Sequence, residues 1–400
     1  MLLQFLHFND NDKMPGPQEE GYSRLYKIKP VLDELFAKFQ EVYTPREAIC
    51  VDESLLLYKG RLIFKQYGPM KRARFGIKIY LCCESDGDKK GSGGYCFRFK
   101  IYAGKDDPID DILPVLRESS AYNPALSISE NVVLFMTLPL LNQGYHVYTD
   151  NWYTSLRLYM YLLEKRTLAC GTIRLNRGIP LELDDVRLAK GASAAVCGDS
   201  AWGQVVATKY HSTKVIHLLS TIHGHSDAPI EDRRESGVNR QPLVSAQYNR
   251  NMGGVDRQDQ LIEPYDCTRK SMKWTKKLFF HLMQMSACNA FILQKERGVK
   301  SFKEFLEAVI LSWLYDQADM PRTIEVDLHD DMVRLSERGH YPFQLPAAQK
   351  ARPCKPCRVC KKKFGIRRDQ RFFCPSCPSQ PGLCVGQCFA DYHQKVEYWK

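Results

Sequence analysis

The sequence has no long hydrophobic run, and this absence excludes a helical membrane protein. Its longest apolar stretch, Val132 to Leu141, contains Thr137 and Pro139 and is far shorter than the ~20 residues that a membrane-spanning helix requires. The first six residues carry no basic segment, so they do not match a secretory signal peptide. We therefore expect a chain without a membrane partner, with its cysteines in the reduced state.

Acidic residues are in the minority, and this excludes a strongly acidic protein. The chain has 57 Lys and Arg against 46 Asp and Glu, which gives a net charge of +11. This charge favours a polyanionic partner, with nucleic acid as the first candidate and an acidic membrane surface as the second. Residues 350–371 contain ten of the basic residues and a single acid. That stretch predicts either a nucleic-acid contact or a solvated basic linker.

Repeats and low-complexity tracts are also missing, and 400 residues allow two or three globular domains. Apolar residues at nearly helical spacing predict a helix over residues 27–43. Strand-like segments follow at 48–51, 62–66, 76–82 and 97–102, then a helix at 129–141, a strand at 146–149 and a helix at 156–165. Residues 272–297 and 302–315 predict two further helices. Three strands, a helix, a strand and further helices is an order typical of an α/β, ribonuclease-H-like core, although many α/β folds share it.

We divide the chain by these patterns. The predicted segments are a helical segment at 1–45, the first part of the core at 46–175, an inserted β-rich segment at 176–248, the end of the core with further helices at 249–320, a linker at 321–353 and a cysteine-rich zinc domain at 354–400.

Three aspartates are candidate metal ligands. Asp52 lies inside an apolar strand, Asp150 at the end of another, and Asp256 at the start of a glycine-led helix. Asp259 is three residues after Asp256 and would share its helix face. Carboxylates on rigid elements suit Mg²⁺, and two such ions about 3.5–4 Å apart are the usual device for cutting and joining phosphodiesters. Spacing alone is weak evidence, because almost any three of 46 acids could be chosen.

The C-terminal cysteines predict structural zinc. Paired Cys-x2-Cys ligands close tetrahedral Zn²⁺ sites, and a domain this small needs metal to fold. The spacing favours two ions in a cross-braced arrangement, and the ligands are Cys357, Cys360, Cys374, Cys377, Cys384, Cys388 and His393. The eighth ligand stays open between His340, which we favour, and Cys354.

Several motifs, in order, resemble the piggyBac transposase family. They include Val51-Asp52-Glu53-Ser54, Tyr148-Thr149-Asp150-Asn151-Trp152 and Gly253-Gly254-Val255-Asp256-Arg257-Gln258-Asp259. The resemblance continues through Arg269-Lys270 and Trp274 into the terminal cysteines, and it covers nearly the whole chain. Within the family, the chain most resembles the piggyBac-derived proteins of animal genomes.

The resemblance implies a cut-and-paste DNA transposase with a ribonuclease-H-like core. It implies that Asp52, Asp150 and Asp256 are catalytic, that Asp259 lies beside them, and that two Mg²⁺ or Mn²⁺ ions are used. It further implies nicking at the transposon end, a DNA hairpin intermediate, insertion at TTAA, a homodimer, and a zinc domain that reads transposon ends in the nucleus. Family members begin with a long acidic region and then a helical dimerisation and DNA-binding segment. The resemblance implies that residues 1–45 are a remnant of that segment and that the helices of residues 249–320 include DNA-binding elements.

Basic and aromatic side chains around these motifs are candidate DNA contacts, because Lys and Arg bind phosphates and aromatic rings stack on bases. For each group, a solvated face or ordinary core packing is the alternative. The candidates are Arg61, Lys65, Lys71, Arg72, Arg74, Lys78, Trp152, Lys270, Lys273, Lys276, Lys361, Lys362, Lys363, Arg367 and Arg368.

Three classes of function remain open at this point. The favoured one is an active transposase that cuts and joins double-stranded DNA and has no small-molecule substrate. The second is a truncated or domesticated DNA-binding or chromatin protein without catalysis. The third, a RING-type ubiquitin ligase, rests only on the predicted cross-brace and is disfavoured by the basic residues of that domain.

Overall fold

The structure of the protein is a computed structural model. The structure describes residues 5–69, 71, 73–86, 93–104, 108–229, 240–266, 273–295, 301–314, 334–335, 340–345, 353–377 and 379–399. The chain divides into two compact units, one up to Val309 and one from Ile310 onward. Within the described ranges, no helix combines the length and the apolar character that crossing a membrane would need.

The first unit is built on a mixed sheet that carries helices on its faces. Its strands are β1 (Ala48–Leu57), β2 (Gln66–Tyr67), β3 (Phe75–Glu84), β4 (Cys96–Ile101), β5 (His146–Thr149), β6 (Leu168–Thr172), β7 (Ser193–Ser200), β8 (Gly203–His211) and β9 (Val215–Ser220). Its helices are α1 (Lys29–Glu41), α2 (Pro108–Glu118), α3 (Ile128–Thr137), α4 (Leu156–Glu164), α5 (Leu181–Asp184), α6 (Leu243–Asn251), α7 (Gly254–Ile262) and α8 (Trp274–Lys295). A further helix, α9 (Phe302–Leu314), begins in this unit and continues past Val309.

Five strands form the ribonuclease-H-like centre of this sheet, in the order β4-β3-β1-β5-β6. Strand β3 is antiparallel to its neighbours β4 and β1, whereas β1, β5 and β6 are parallel. The parallel strands read as nearly continuous apolar runs because helices cover both faces. This order and these directions confirm the predicted α/β fold with a ribonuclease-H-like core.

The segment that follows β6 extends the same sheet. Strand β9 pairs with β6 in antiparallel fashion, β8 pairs with β9, and β7 forms the outer edge. A separate short pair, β10 (Asp227–Pro229) with β11 (Arg240–Pro242), leads into α6. The β-rich character predicted for residues 176–248 is therefore present, and its strands continue the central sheet.

One strand predicted from the sequence differs in the structure. Residues 62–65 form a turn, and only Gln66–Tyr67 pairs with β3. The apolar Phe64 that suggested a strand is buried instead by an edge-to-face contact with Trp274, with ring centroids 5.4 Å apart. Phe64 is therefore buried by a tertiary contact and does not pair in a β-sheet.

The second unit is small and carries the cysteines. Its elements are β12 (Phe343–Gln344), β13 (Lys355–Pro356), α10 (Arg358–Phe364), β14 (Asp369–Gln370), β15 (Phe372–Phe373) and α11 (Gln387–Gln394). Its core contains Val359, Leu383 and Tyr392 around buried cysteines. Two-residue strand pairs and two short helices offer little apolar surface, and small domains of this kind commonly gain folding free energy from a bound metal.

Candidate functional site

Two aspartates lie side by side at one end of the parallel strands. Strands β1 and β5 are in register up to the pair Val51 and Thr149. Asp52 is the next residue on β1, and Asp150 directly follows the end of β5. The chain turns after Asp150, whose side chain accepts the backbone N–H of Trp152 at 2.9 Å. Parallel pairing therefore brings together two carboxylates that are far apart in sequence.

Both carboxylates are held in surroundings that disfavour their charge. Burial and the neighbouring Glu53 raise the pKa of Asp52 to about 7. Burial also raises the pKa of Asp150, and Glu53 adds to that effect. Among the described residues, no Lys or Arg nitrogen lies within 4.0 Å of either carboxylate, although Lys71 and Arg174 act on them from further away. Such crowded acids are a common feature of functional sites.

Helix α7 docks on the face of β1 that carries Asp52. Because side chains alternate along a strand, Cys50, Asp52 and Ser54 point to the same face. Gly254 packs so closely there that a Cβ atom would lie 2.6 Å from the Cys50 sulfur and 2.6 Å from the Glu84 carbonyl oxygen. At the other end, the Ser54 hydroxyl lies 2.8 Å from both carboxylate oxygens of Asp259.

The contacts at Cys50 and Ser54 place Asp52 between the two ends of α7. Burial raises the pKa of Asp259 to about 6, while the Ser54 hydroxyl lowers it. Asp256 lies in the first turn of α7, one turn before Asp259, and is exposed. Its charge is near enough to raise the pKa of Asp259.

The four aspartates surround one region without forming a tight cluster. Within the described ranges, the groups of three or more His, Cys, Asp or Glu side chains whose ligand atoms lie within 4.8 Å of one another are both found in the second unit. Asp52, Asp150, Asp256 and Asp259 are in neither group. Two ions about 3.5–4 Å apart need carboxylates that are spread over a wider space.

The chemistry of this donor set fits hard divalent cations. Asp52, Asp150 and Asp259 are half-buried carboxylates with raised pKa values, and in the described part of the chain they form no ion pair with a Lys or Arg side chain. Oxygen ligands are what Mg²⁺ and Mn²⁺ prefer. Asp52, Asp150 and Asp259 sit on a strand, a strand end and a helix, which are rigid supports. These residues could hold divalent metal.

Glu53, on the opposite face of β1, is surrounded by cations and aromatic rings. Its carboxylate accepts the Tyr153 hydroxyl at 3.0 Å and lies 3.6 Å from the Lys78 ammonium. Lys78 in turn lies 4.5 Å from the Trp152 ring centroid and 4.7 Å from that of Tyr80. Trp152 and Lys78, both candidate DNA contacts, are thus engaged in packing within the unit.

The predicted basic stretch forms a groove beside the turn after β1. A cavity of about 600 Å³ is lined by Leu57, Lys59, Lys65, Arg74 and Phe75. Aliphatic and aromatic side chains form its apolar lining, and the three cations supply its charge.

The remaining candidate contacts of this unit fall in different places. Arg61 and Lys273 are exposed, and Lys276 is buried in the first turn of α8. Arg72 and Lys270 lie outside the described residues.

Sequence analysis missed a second basic region next to Asp150. The Arg174 side chain donates to Asn151 at 3.1 Å and lowers the pKa of Asp150. A cavity of about 570 Å³ nearby is lined by residues that include Arg157 and Arg177. Arg157 pairs with Glu130 at 2.9 Å and Arg177 donates to Ser129, whereas Arg174 acts on Asp150. No motif marks Arg174, because the fold alone brings it to Asp150. Ser54 could have been found, since it is two residues after Asp52.

The second unit brings eight side chains into two groups of four. One group is Cys357, Cys360, Cys384 and Cys388, and the other is His340, Cys374, Cys377 and His393. Ligand atoms within each group lie within 4.8 Å of one another. The first and third cysteine pairs share one group while the second pair joins the histidines, so the geometry is a cross-brace. Each group could hold a tetrahedral Zn²⁺ ion.

Of the two candidates for the eighth ligand, His340 belongs to one of these groups, whereas Cys354 is exposed and belongs to neither. The His340 ring stacks on that of His393 with centroids 4.3 Å apart. Nearby, the fully buried Arg334 donates to the backbone carbonyls of Tyr392, Lys395 and Val396 at the end of α11. Arg334 and His340 thus pack into the cysteine-rich unit, although both fall in the segment that the sequence assigned to a linker.

Several basic side chains of this unit contact an aromatic ring or an acid within the unit. Lys362 lies 3.7 Å from the Trp399 ring centroid, Lys363 lies 3.9 Å from Asp391, and Arg367 lies 3.1 Å from Asp369. Lys361 and Arg368 are exposed. The surface keeps a positive character.

Comparison with known proteins gives consistent relatives. The family model described as transposase IS4 matches residues 1–291. The human piggyBac transposable element-derived protein 2 is 23% identical over 422 aligned residues, which cover 98% of this chain and 62% of that protein. The human piggyBac transposable element-derived protein 3 is 24% identical over 80% of this chain and 52% of its own length.

A solved structure agrees with these relatives. The cryo-EM structure of the piggyBac transposase synaptic complex with hairpin DNA superposes with a TM-score of 0.63 and 25% identity, covering 78% of this chain and 61% of that chain. This chain therefore spans between about half and three fifths of the length of these three proteins.

Proposed function

The chain belongs to the piggyBac-type transposase IS4 family, and on that premise we propose that it is a metal-dependent DNA transposase that cuts and joins double-stranded DNA. In this proposal Asp52, Asp150 and Asp256 are the catalytic carboxylates and Asp259 supports them. The observation that carries the proposal is the pairing of β1 with β5, which sets Asp52 beside Asp150 under helix α7.

The role of each carboxylate follows from its surroundings. The backbone N–H of Trp152 fixes the Asp150 side chain, and the Ser54 hydroxyl fixes that of Asp259. Asp52 lies between the ends of α7 and its charge is poorly compensated, so it is suited to bind a cation. Two Mg²⁺ or Mn²⁺ ions, when bound, would activate the attacking oxygen and stabilise the leaving oxygen. By the family resemblance, the products are a nicked end, a hairpin and joining at TTAA.

DNA would run along the basic regions beside these carboxylates. Lys65 and Arg74 line the groove near β1, and Arg157, Arg174 and Arg177 lie on the Asp150 side. Lys and Arg neutralise phosphates with little dependence on sequence. We assign the zinc-dependent second unit to recognition of transposon ends, and we propose a homodimer that acts in the nucleus.

A catalytically silent DNA-binding protein is the second candidate. Two observations favour it: Asp256 is exposed, and the aspartates do not form a group as compact as the zinc sites. The curated human relatives are themselves described as transposable element-derived proteins. In this case the chain would bind DNA through the same basic regions and leave it intact.

An excision assay in cells separates the two candidates. The donor plasmid carries the inverted repeats that flank this gene, and the parent chain is compared with Asp150→Asn and with Asp185→Asn, a matched change of an exposed aspartate. The proposal expects excision by the parent and by Asp185→Asn, and none by Asp150→Asn. Absence of excision in all three, with folded and zinc-loaded protein that still binds DNA, contradicts the transposase and supports the second candidate.

A further inference from the structure

Lys71, which lies outside the aspartate motifs, holds its ammonium group beside the strand that carries Asp52. Lys71 lies in the connection between β2 and β3, where its backbone N–H donates to the Gly68 carbonyl at 3.1 Å. Its Nζ atom donates to the Glu53 backbone carbonyl at 2.9 Å. That carbonyl belongs to the residue directly after Asp52, so the ammonium is tied to the strand that carries the central carboxylate.

The ammonium lies next to residues that belong to both sides of the site. Its hydrogen bond to the Glu53 carbonyl places it between Asp52 and Ser54 along β1. The Ser54 hydroxyl in turn lies 2.8 Å from both carboxylate oxygens of Asp259 on α7. About two fifths of the Lys71 side chain is exposed (39%), which leaves it open on the solvent side.

The acid nearest to the Lys71 ammonium, the Glu53 carboxylate, is paired more closely with other groups. Glu53 lies 4.0 Å from Lys71, whereas it has a closer cation in Lys78 at 3.6 Å and a hydrogen bond from Tyr153. An ammonium has three N–H donors, and the Glu53 carbonyl takes one of them. The ammonium can therefore bind another acceptor on its open side.

We propose that Lys71 is a catalytic residue whose ammonium binds a non-bridging oxygen of the scissile phosphate. The inference rests on the proposed function, because that function brings a phosphodiester to Asp52. During cleavage, the water oxygen bonds to phosphorus and loses a proton to solvent, while the bond from phosphorus to the 3′ oxygen breaks and that oxygen takes up a proton. Charge builds on the non-bridging oxygens, and a fixed cation there stabilises the transition state.

The chemistry of lysine suits this position. Its ammonium is a compact point charge that can approach a single phosphate oxygen between carboxylates. The planar guanidinium of arginine instead presents a fork of donors that matches two acceptors. We therefore expect Lys71→Arg to keep part of the function and Lys71→Met, of similar length and without charge, to lose it. Lys190, an exposed lysine before β7, supplies the matched control as Lys190→Met.

The test combines these variants with a change in the DNA. Duplexes carrying the flanking inverted repeat have either the natural phosphate or a methylphosphonate, which lacks one charged oxygen, at the scissile position. Each methylphosphonate isomer is tested separately. Binding is measured by fluorescence anisotropy in Ca²⁺, and nicking is measured in Mg²⁺ with the full zinc-loaded chain.

On natural DNA, Lys71→Met should weaken binding and slow nicking by roughly 10- to 100-fold, the effect of one charge-assisted hydrogen bond. On one methylphosphonate isomer, parent and variant should be equal, because the contact is already absent. Equal losses on natural DNA and on both isomers, or no loss on natural DNA, overturn the role of Lys71. A parent chain that binds but never nicks contradicts the proposed function instead, and the binding comparison still decides the Lys71 contact.

Discussion

Replacing Asp52 with asparagine should make the metal-free protein more stable, because ionising the wild-type carboxylate in the folded state costs free energy. Its pKa is raised from 3.8 to about 7. At ~1.4 kcal/mol for each pH unit, this difference corresponds to ~4 kcal/mol of lost stability when the group is ionised. The Asp52→Asn variant keeps the shape and removes the charge. We expect its free energy of unfolding to rise by roughly 2–4 kcal/mol at pH 8.

The gain should depend on pH in a defined direction. A carboxylate whose folded-state pKa is raised costs no folding free energy below its unfolded-state pKa of 3.8. The cost grows as the pH increases and reaches its full value above about 7. More than half of the gain from Asp52→Asn at pH 8 should therefore be lost at pH 5. Urea denaturation at both pH values, in Mg²⁺-free buffer that leaves zinc bound, measures this difference.

A matched variant and a ligand sharpen the test. Asp185→Asn, at an exposed position, should change stability by less than ~0.5 kcal/mol at either pH. Added Mg²⁺ should stabilise the parent more than Asp52→Asn, because a ligand stabilises only the state that binds it. A gain that is the same at pH 5 and pH 8, or no gain at pH 8, refutes the argument from burial and charge.

Three further changes test other parts of the structure. Gly254→Ala should lower the melting temperature and abolish nicking, because its Cβ would meet the Cys50 sulfur and the Glu84 carbonyl at 2.6 Å, whereas Gly253→Ala has no atom within 4 Å and should do neither. Cys374→Ser should reduce the zinc content measured by mass spectrometry from two ions to one or fewer, while Cys354→Ser should leave two; loss of zinc from both would contradict the ligand assignment. Arg334→Met leaves three backbone carbonyls at the end of α11 without their donor and should cost ~1–3 kcal/mol in urea denaturation of the second unit.

The sequence was sufficient for the order of the core elements, because each parallel strand is an apolar run bounded by turns. It also predicted a strand around Asp52 and one ending at Asp150, and pairing of β1 with β5 places them together. The ligand pairs of the zinc domain could be proposed because two-residue spacing is a local signal. The roles assigned to these residues remain predictions.

Features that depend on contacts between distant segments could not be predicted. Phe64 looked like part of a strand, yet its partner is Trp274, more than two hundred residues later. Arg174 reaches Asp150 only through the fold, and no local pattern distinguishes it from other arginines. The contribution of Arg334 to the cysteine-rich unit was hidden for the same reason.

The strands after β6 limit how the segment between β6 and α6 can vary within this family. Strand β9 hydrogen-bonds along β6, so shortening the chain between β6 and α6 would uncover a row of unpaired N–H and C=O groups at the sheet edge. Such an edge invites pairing with other chains and aggregation. The present outer strand, β7, ends in Gly198, Asp199 and Ser200, which are poor partners for further strands. Any replacement for this segment must therefore bring its own protected edge.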